Sequence, residues 1–411
     1  MGCATQAIIV CAPGGGDPRR EIGGLTLIER LMRQLSELGT VQEILLVSPP
    51  GVSLPSPSAR VTTPVRSVRA SGADPWAMLR AAAALLRTRF LVIAADLVVD
   101  ERVLSWLATQ AADTMVRHAD APLPELLGSL SREGVLQSSG LPASTVVVPL
   151  NAFPTYWEER RGHVPLHCLR VRGELDHEDA WRCLLDHVEK RALDVPARYF
   201  DPFFEGFLIR RLCRTSVTPN QVTLATGILG FAVTGLFGTG WLRLGIVLAI
   251  LVEVLDGVDG KLARIKRMTS KAGELEHVLD FFYENSWYVA LGYFLSATGV
   301  AWAWKAGLAM VAFDLTDNLA NLAFSHFRGR NLSEANLFLK RFQTVGGRRN
   351  IYIWIFLPGF LGGAPAVTFA LAATWAGVTA IVHVVYAVIE SWRIALVAPR
   401  IASGRAVGKE I

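Results

Sequence analysis

The feature that most constrains this chain is a series of apolar runs confined to its second half. Six of them lie at about 221–238, 241–258, 278–298, 302–324, 350–363 and 366–390. A helix that crosses a hydrocarbon core of about 30 Å needs about 20 apolar residues, so the runs are read as six membrane spans. Lys and Arg gather in alternate connections. Arg210, Arg211 and Arg214 precede the first run, and Lys261, Arg264, Lys266, Arg267 and Lys271 follow the second. Arg328, Arg330, Lys340, Arg341, Arg348 and Arg349 follow the fourth, and Arg393, Arg400, Arg405 and Lys409 follow the sixth. The other connections hold only Arg243 and Lys305. Basic loops stay on the cytosolic side, which predicts an integral cell-membrane protein with both termini in the cytosol.

Composition supports that division. The 411 residues are 51% hydrophobic and 19% charged, whereas soluble domains are about 25% charged. Intrinsic disorder is excluded. Residues 1–200 carry a net charge of −1 and residues 201–411 a net of +6. A basic excess can mark nucleic-acid binding, but beside long apolar runs it points to a membrane instead. The five cysteines (Cys3, Cys11, Cys168, Cys183 and Cys213) include no CxxC pair. Neither a disulfide framework nor a zinc site is expected, and the thiols should be reduced. The opening MGCATQAIIVCAPGGGDPRR lacks the basic start and long apolar stretch of a secretory signal. Gln6 stands where a myristoylation motif has Ser or Thr.

Residues 1–195 read differently. Short apolar runs at Ala7–Cys11, Ile44–Val47, Phe90–Ala95, Thr145–Val148 and Cys168–Val171 suggest strands. Thr26–Leu38 has the apolar spacing of a helix packed on a sheet, through Leu27, Ile28, Leu31, Leu35 and Leu38. Thr26 and Glu29 have the spacing of a reciprocal capping box. Pro49–Pro75 reads as a surface loop, and Glu178–Arg191 as a closing helix. The alternation predicts an α/β layer domain. Residues 196–218 then form a linker and an amphipathic helix. Phe203, Phe204, Phe207, Leu208 and Leu212 alternate there with arginines, which suits a membrane interface. Residues 219–395 are read as an all-α six-span bundle and 396–411 as a cytosolic tail.

The chemistry concentrates where the second run ends, at Leu255-Asp256-Gly257-Val258-Asp259-Gly260-Lys261-Leu262-Ala263-Arg264. Asp256 and Asp259 are i and i+3, hence on one helix face. Two carboxylates at membrane depth repel each other and lose hydration, so they call for a cation; Mg2+ or Mn2+ suits oxygen ligands. Gly257 and Gly260 are expected to leave room for a bulky polar ligand, and Arg264 to pair with phosphate. The plainer reading is a solvated turn at the membrane boundary. In the fourth run, Asp314, Asn318 and Asn321 are i, i+4 and i+7. They should form one polar stripe facing the bundle interior, as an acceptor pocket or as interhelical hydrogen bonds. Arg348 and Arg349, after Gly346-Gly347, are candidates for an acceptor phosphate or a cytosolic anchor. His383 reads as a packed polar residue.

These residues resemble the CDP-alcohol phosphotransferase family. Its pattern is D-x-x-D-G-x-x-A-R, eight residues, G, three residues, D, three residues, D. Asp256, Asp259, Gly260, Ala263, Arg264 and Gly273 all fall in register, and Thr218-Pro219-Asn220-Gln221-Val222-Thr223 is also similar to the family. The third and fourth acidic positions are His277 and Phe281 here, with Glu276 and Asp280 one residue earlier. The resemblance implies that Asp256 and Asp259, with Glu276 and Asp280, hold metal. It implies that Asp280 or His277 serves as catalytic base, and that Gly260, Ala263, Arg264 and Gly273 hold the bound nucleotide. Either the third helix is rotated to present Glu276, Asp280 and Glu284, or His277 is the ligand and Asp280 reaches in. The implied reaction moves a substituted phosphoryl group from a CDP-alcohol donor to the hydroxyl of a polar or lipid alcohol acceptor, with release of CMP. A homodimer is also a family expectation.

Ala7–Arg20 with Gly23–Arg30 resembles a sugar-nucleotidyltransferase domain, with a Gly14-Gly15-Gly16 loop after a strand and Asp96 after another. Fusions of this kind make a CDP-alcohol in the first domain and use it in the second. That family has a loop lysine, yet the first lysine here is Lys190. Arginine does not replace it as a point charge. The expected reading is a degenerate domain. The rivals are a bifunctional cytidylyltransferase/phosphotransferase and a membrane scaffold with both sites decayed.

Overall fold

The computed structural model describes residues 5–404 apart from 73, 118–125, 154–155, 159–161, 165, 190–193 and 269–272. Of 156–158, 162–164, 273–277 and 394–404 it describes the backbone alone. The chain divides into two compact units. The first is Met1–Lys190 with Cys213–Thr215 and Arg264–Arg267; the second is the remainder.

The first unit contains β1 (Gln6–Val10), β2 (Glu21–Ile22), β3 (Leu25–Thr26), α1 (Leu27–Glu37), β4 (Glu43–Ser48), β5 (Val65–Arg69), α2 (Pro75–Ala83), β6 (Phe90–Ala94), β7 (Leu97–Val99) and α3 (Glu101–Ala108). There follow β8 (Thr114–Arg117), β9 (Leu127–Leu130), α4 (Arg132–Gln137), β10 (Val146–Pro149), β11 (Tyr156–Glu158), β12 (Gly162–Val164), β13 (Cys168–Arg170) and α5 (Glu174–Val188). Seven strands form one sheet in the order β10-β8-β9-β6-β1-β4-β5. All its neighbours are parallel except around β9, which runs against β6 and β8. The runs Ile8–Val10, Ile44–Val47 and Phe90–Ile93 are buried throughout, as strands covered on both faces must be.

The stretch read as a loop, Pro49–Pro75, contains the edge strand β5, which pairs with β4 from Ile44 opposite Val65. Its two apolar residues, Val65 and Val68, stand three apart and give no period-two signal among Ser and Pro. In α1 the capping box is half made. The Thr26 hydroxyl accepts from Glu29 N at 3.2 Å, but the Glu29 carboxylate turns instead to Arg33, at 2.6 Å, and to Ser58. A guanidinium one turn on outcompetes a neutral backbone donor.

The second unit is helical: α6 (Val195–Tyr199), α7 (Asp201–Leu212), α8 (Pro219–Gly238), α9 (Leu242–Ile265), α10 (Gly273–Ala297), α11 (Ala303–Arg328), α12 (Leu337–Phe342), α13 (Arg349–Gly362) and α14 (Pro365–Gly404). Thr218 and Gln221 cap α8 reciprocally, with Pro219 in the first turn. Six of these helices coincide with the six apolar runs. Pro219–Gly238 and Pro365–Arg393 are the two, among the described residues, long and apolar enough to cross a membrane. The core is aromatic: Phe237, Trp287, Phe356, Phe360 and Phe369 are buried together. Small residues set the spacing of α10 and α11, where a Cβ on Gly292 would stand 2.8 Å from the Ala303 carbonyl oxygen. Helix α7 is turned the unusual way. It buries Asp201, Glu205 and Ile209, while Phe203 is 77% and Phe207 60% exposed.

Candidate functional site

In the second unit the Asp256–Asp259 pair lies two turns before the end of α9. Asp259 is 2% exposed. Its Oδ2 accepts a 2.6 Å hydrogen bond from Thr223, one turn into α8. Its Oδ1 makes no hydrogen bond among the described residues. Asp256 Oδ2 meets Arg349 Nη2 at 2.6 Å, at the start of α13. The other Arg349 nitrogen reaches Glu284 Oε1 at 2.8 Å and the Tyr283 hydroxyl, both on α10. Asp280, one turn before Glu284, is close enough to act electrostatically on Asp259 and on Arg349. Three carboxylates from two helices therefore act on one buried guanidinium, with Asp259 beside them.

Arg349, read from sequence as an acceptor-phosphate ligand, is thus engaged by three partners, while Arg348 beside it is exposed. Gly257 does not leave room for a ligand. A Cβ there would overlap the Glu205 carboxylate of α7, which is buried against Lys261 Nζ. Arg264 donates to the Val188 carbonyl at 3.3 Å, within the first unit. Gly260 and Ala263 are half-buried on α9, and Gly273 opens the α10 backbone. The side chains of Glu276 and His277 lie outside the described residues.

The polar stripe of α11 does not hold as a unit. Asp314 accepts from Asn285 at 2.9 Å, and Asn321 bonds back to Asp317 of its own helix. Asp317, left out of the sequence-based stripe, pairs with His383 of α14. Asn318 is exposed. At about 100° per residue, the inward arc runs from Asp317 through Asn321 to Asp314. Asn318 lies some 100° away from Asp317, past its far edge. No described contact joins this arc to the Asp256 cluster except Asn285, which sits on α10 next to Glu284. The sequence offered one signal for Asp317, the remaining acid on the same helix, and none for its histidine partner.

In the first unit, β1 lies between β4 and β6, and the chain reverses its direction of travel across the sheet at that point. A crevice at such a switch point is where α/β sheets bind ligands. A cavity of about 230 Å³ occupies it, lined by Gly14–Gly16, Trp76, Asp96, Arg170 and Arg172. Asp96 is already committed. Its Oδ2 accepts from Gly16 N at 3.0 Å and pairs with Arg170 Nε at 3.2 Å. The Cys11 thiol at the cavity floor is pushed up to about 12 by burial and by Asp96, so it stays protonated. Cys11, Cys168, Cys183 and Cys213 form no disulfide.

Comparison with known proteins agrees with the second unit. Residues 216–383 match the model of the CDP-alcohol phosphatidyltransferase family. A "Bifunctional IPC transferase and DIPP synthase" of Thermococcus kodakarensis is 29% identical over 163 residues, 37% of this chain and 36% of that protein. Its namesake in Rubrobacter xylanophilus is 34% identical over 166 residues, 40% and 35% of the two chains. The inner membrane protein YnjF of Escherichia coli is 33% identical over 89 residues, 22% and 42%. The matches thus span well under half of each relative's length. A crystal structure of Mycobacterium tuberculosis phosphatidylinositol phosphate synthase with CDP-DAG bound aligns at TM-score 0.37 and 17% identity, over 45% of this chain and 94% of that one. The motif segment and the helices that present it lie inside the stretch, residues 216–383, that matches the CDP-alcohol phosphatidyltransferase family model.

Proposed function

We infer that the protein is an integral-membrane transferase that moves a substituted phosphoryl group from a CDP-alcohol to an acceptor hydroxyl and releases CMP. The observation that carries this reading is the carboxylate cluster. Asp256, Asp280 and Glu284 act on the buried Arg349, Asp259 lies within reach of Asp256 and Asp280, and the buried Asp259 Oδ1 has no hydrogen-bond partner among the described residues. Clustered carboxylates in a low dielectric are costly unless cations neutralise them. An oxygen-rich set of this kind suits Mg2+ or Mn2+, which Asp256, Asp259 and Asp280 would hold, with Glu276 as a further ligand and His277 as its alternative. The bound ion supplies neutralisation of phosphate oxygens.

The chain's own residues do the rest. Thr223 fixes the Asp259 carboxylate, and Arg349 orients Asp256 and Glu284. Asp280 accepts the proton of the attacking hydroxyl. Asp314 and Asn321 border the acceptor. The reading includes six spans with basic loops in the cytosol. Helices α9, α10 and α11 carry the acids and cations of the site, and α13 is short; both facts lower their apolar content or length without removing them from a membrane bundle. Helix α7 lies in the interface, its exposed phenylalanines toward acyl chains and its arginines at headgroups.

A bifunctional second reading draws support from the cavity at the switch point of the first unit. Against it stand the absence of lysine before Lys190 and the capture of Asp96 by Arg170. The deciding experiment offers purified full-length protein a panel of CDP-alcohols and acceptors with Mg2+ or Mn2+, and follows CMP. Metal-dependent release supports the transferase; none with any donor leaves a scaffold. Pyrophosphate release from CTP and a polyol phosphate at about 1 per second or faster would establish the bifunctional reading.

A further inference from the structure

The first unit holds a second polar cluster that neither the Gly14–Gly16 cavity nor the transferase chemistry uses. Asp100 follows β7 and caps α3, and its backbone N donates to the His167 carbonyl at 2.9 Å. His167 precedes β13. His187 and Cys183 lie one turn apart on α5. The Nδ1 atoms of His167 and His187 stand 3.4 and 3.8 Å from the same Asp100 oxygen. The two rings meet edge to face at 5.0 Å, and the Cys183 thiol interacts with the His167 ring. One ligand atom from each of Asp100, His167 and His187 can be chosen so that all lie within 4.8 Å of one another.

These separations discriminate between two arrangements. A hydrogen bond from imidazole to carboxylate would bring the atoms to about 2.7–2.9 Å. Ligands on a tetrahedral Zn2+ with bonds of about 2.0–2.1 Å stand about 3.4 Å apart along each edge. The 3.4 Å separation of His167 equals such an edge, and the 3.8 Å separation of His187 exceeds it by about 0.4 Å. His167 is 8% exposed, and its ring lies within reach of the Asp100 carboxylate and the Cys183 thiol. Arg102 forks onto Asp100, Nε to Oδ1 at 2.8 Å and Nη2 to Oδ2 at 2.5 Å. An ionised carboxylate offers about four lone-pair sites, so the fork leaves one on Oδ2 for a metal. It also orients that oxygen, as outer-shell partners of metal ligands do.

We propose that Asp100, His167 and His187, with Cys183 as fourth ligand, form a structural zinc site that pins α5 to the β7–β13 pair. The mixed N, O and S donor set favours Zn2+ over Mg2+ or Ca2+. A closed set of four protein ligands marks a structural site, and binding proceeds with loss of the Cys183 proton to solvent.

The test uses full-length protein in detergent, stripped with a chelator and dialysed against micromolar Zn2+. Wild type should retain about one zinc per chain by mass spectrometry of the metal, and zinc should raise its melting temperature. His187→Gln and Cys183→Ser, at partly exposed positions on α5, should lower retention at least tenfold, while Asp256→Asn should leave it unchanged. Co2+ in place of Zn2+ should give a tetrahedral visible spectrum with a thiolate band that Cys183→Ser removes. Wild type that retains no zinc, or a His187→Gln variant that folds and retains as much as wild type, would overturn the proposal and leave a hydrogen-bonded histidine pair. An Asp256→Asn variant that loses the zinc would assign the ion to the transferase site instead.

Discussion

The two units each bury an aspartate, Asp96 in the first and Asp259 in the second, and they balance its charge differently. Asp96 in the first unit is answered by Arg170 and by a backbone amide. In the second unit three carboxylates act on Arg349, and Oδ1 of the neighbouring buried Asp259 has no hydrogen-bond partner among the described residues. A carboxylate that the protein itself neutralises needs no ion, and one left in surplus needs one. The same residue type thus marks a closed account in one place and an open site in the other.

The largest effect that could break this comparison is loss of the surplus. Asp256→Ala and Asp259→Ala should each lower CMP release by at least about a thousandfold, since a lost metal ligand removes several kcal/mol of transition-state stabilisation. The variants should still insert in membranes. Release within tenfold of wild type would mean that the cluster is not the site. Next, Asp280→Asn should abolish release, and His277→Gln should reduce it less, because Asp280 shares the face of α10 that carries Glu284 to Arg349. The reverse order would favour histidine as the ligand.

A smaller effect is expected in the balanced cleft. Arg170→Gln leaves buried Asp96 with only the Gly16 amide, so thermal stability should drop by about 1–3 kcal/mol, with no gain in CTP turnover. A gain would show that Arg170 merely blocks a working site. The smallest effect concerns pH. Burial, with Glu205 and Asp194 nearby, pushes Asp201 up to about 7. Its folded pKa lies above the unfolded one, so stability is full below the unfolded value and declines as pH rises toward 7. Asp201→Asn should flatten that decline in a denaturation series from pH 4 to 8. A slope unchanged by the substitution would remove Asp201 from the account.

What the sequence disclosed and what it hid divide along chain distance. The Asp256–Asp259 pair, the helical face of α1 and the six apolar helices rest on spacings of a few residues, which local periodicity exposes. The identity of Arg349 as counter-ion spans 93 residues to Asp256. The filling of Gly257 by Glu205 and the pairing of Asp317 with His383 depend likewise on packing between distant segments. The Asn318 expectation failed by a rotation too small for residue counting to resolve. The histidine cluster was invisible for a related reason. Its ligands come from separate elements, and a search for CxxC passes over a site with one cysteine.

Gly16 closes the matter in evolutionary terms. A side chain at this position would overlap the carbonyl oxygen of Val171, which follows β13. The glycine is therefore required by the fold itself, whether or not a nucleotide ever enters the loop. Selection for folding alone would preserve it through any number of generations after a change of activity. A surviving glycine-rich signature in this lineage dates the architecture and not the chemistry, and descendants should be sorted by what faces Asp96.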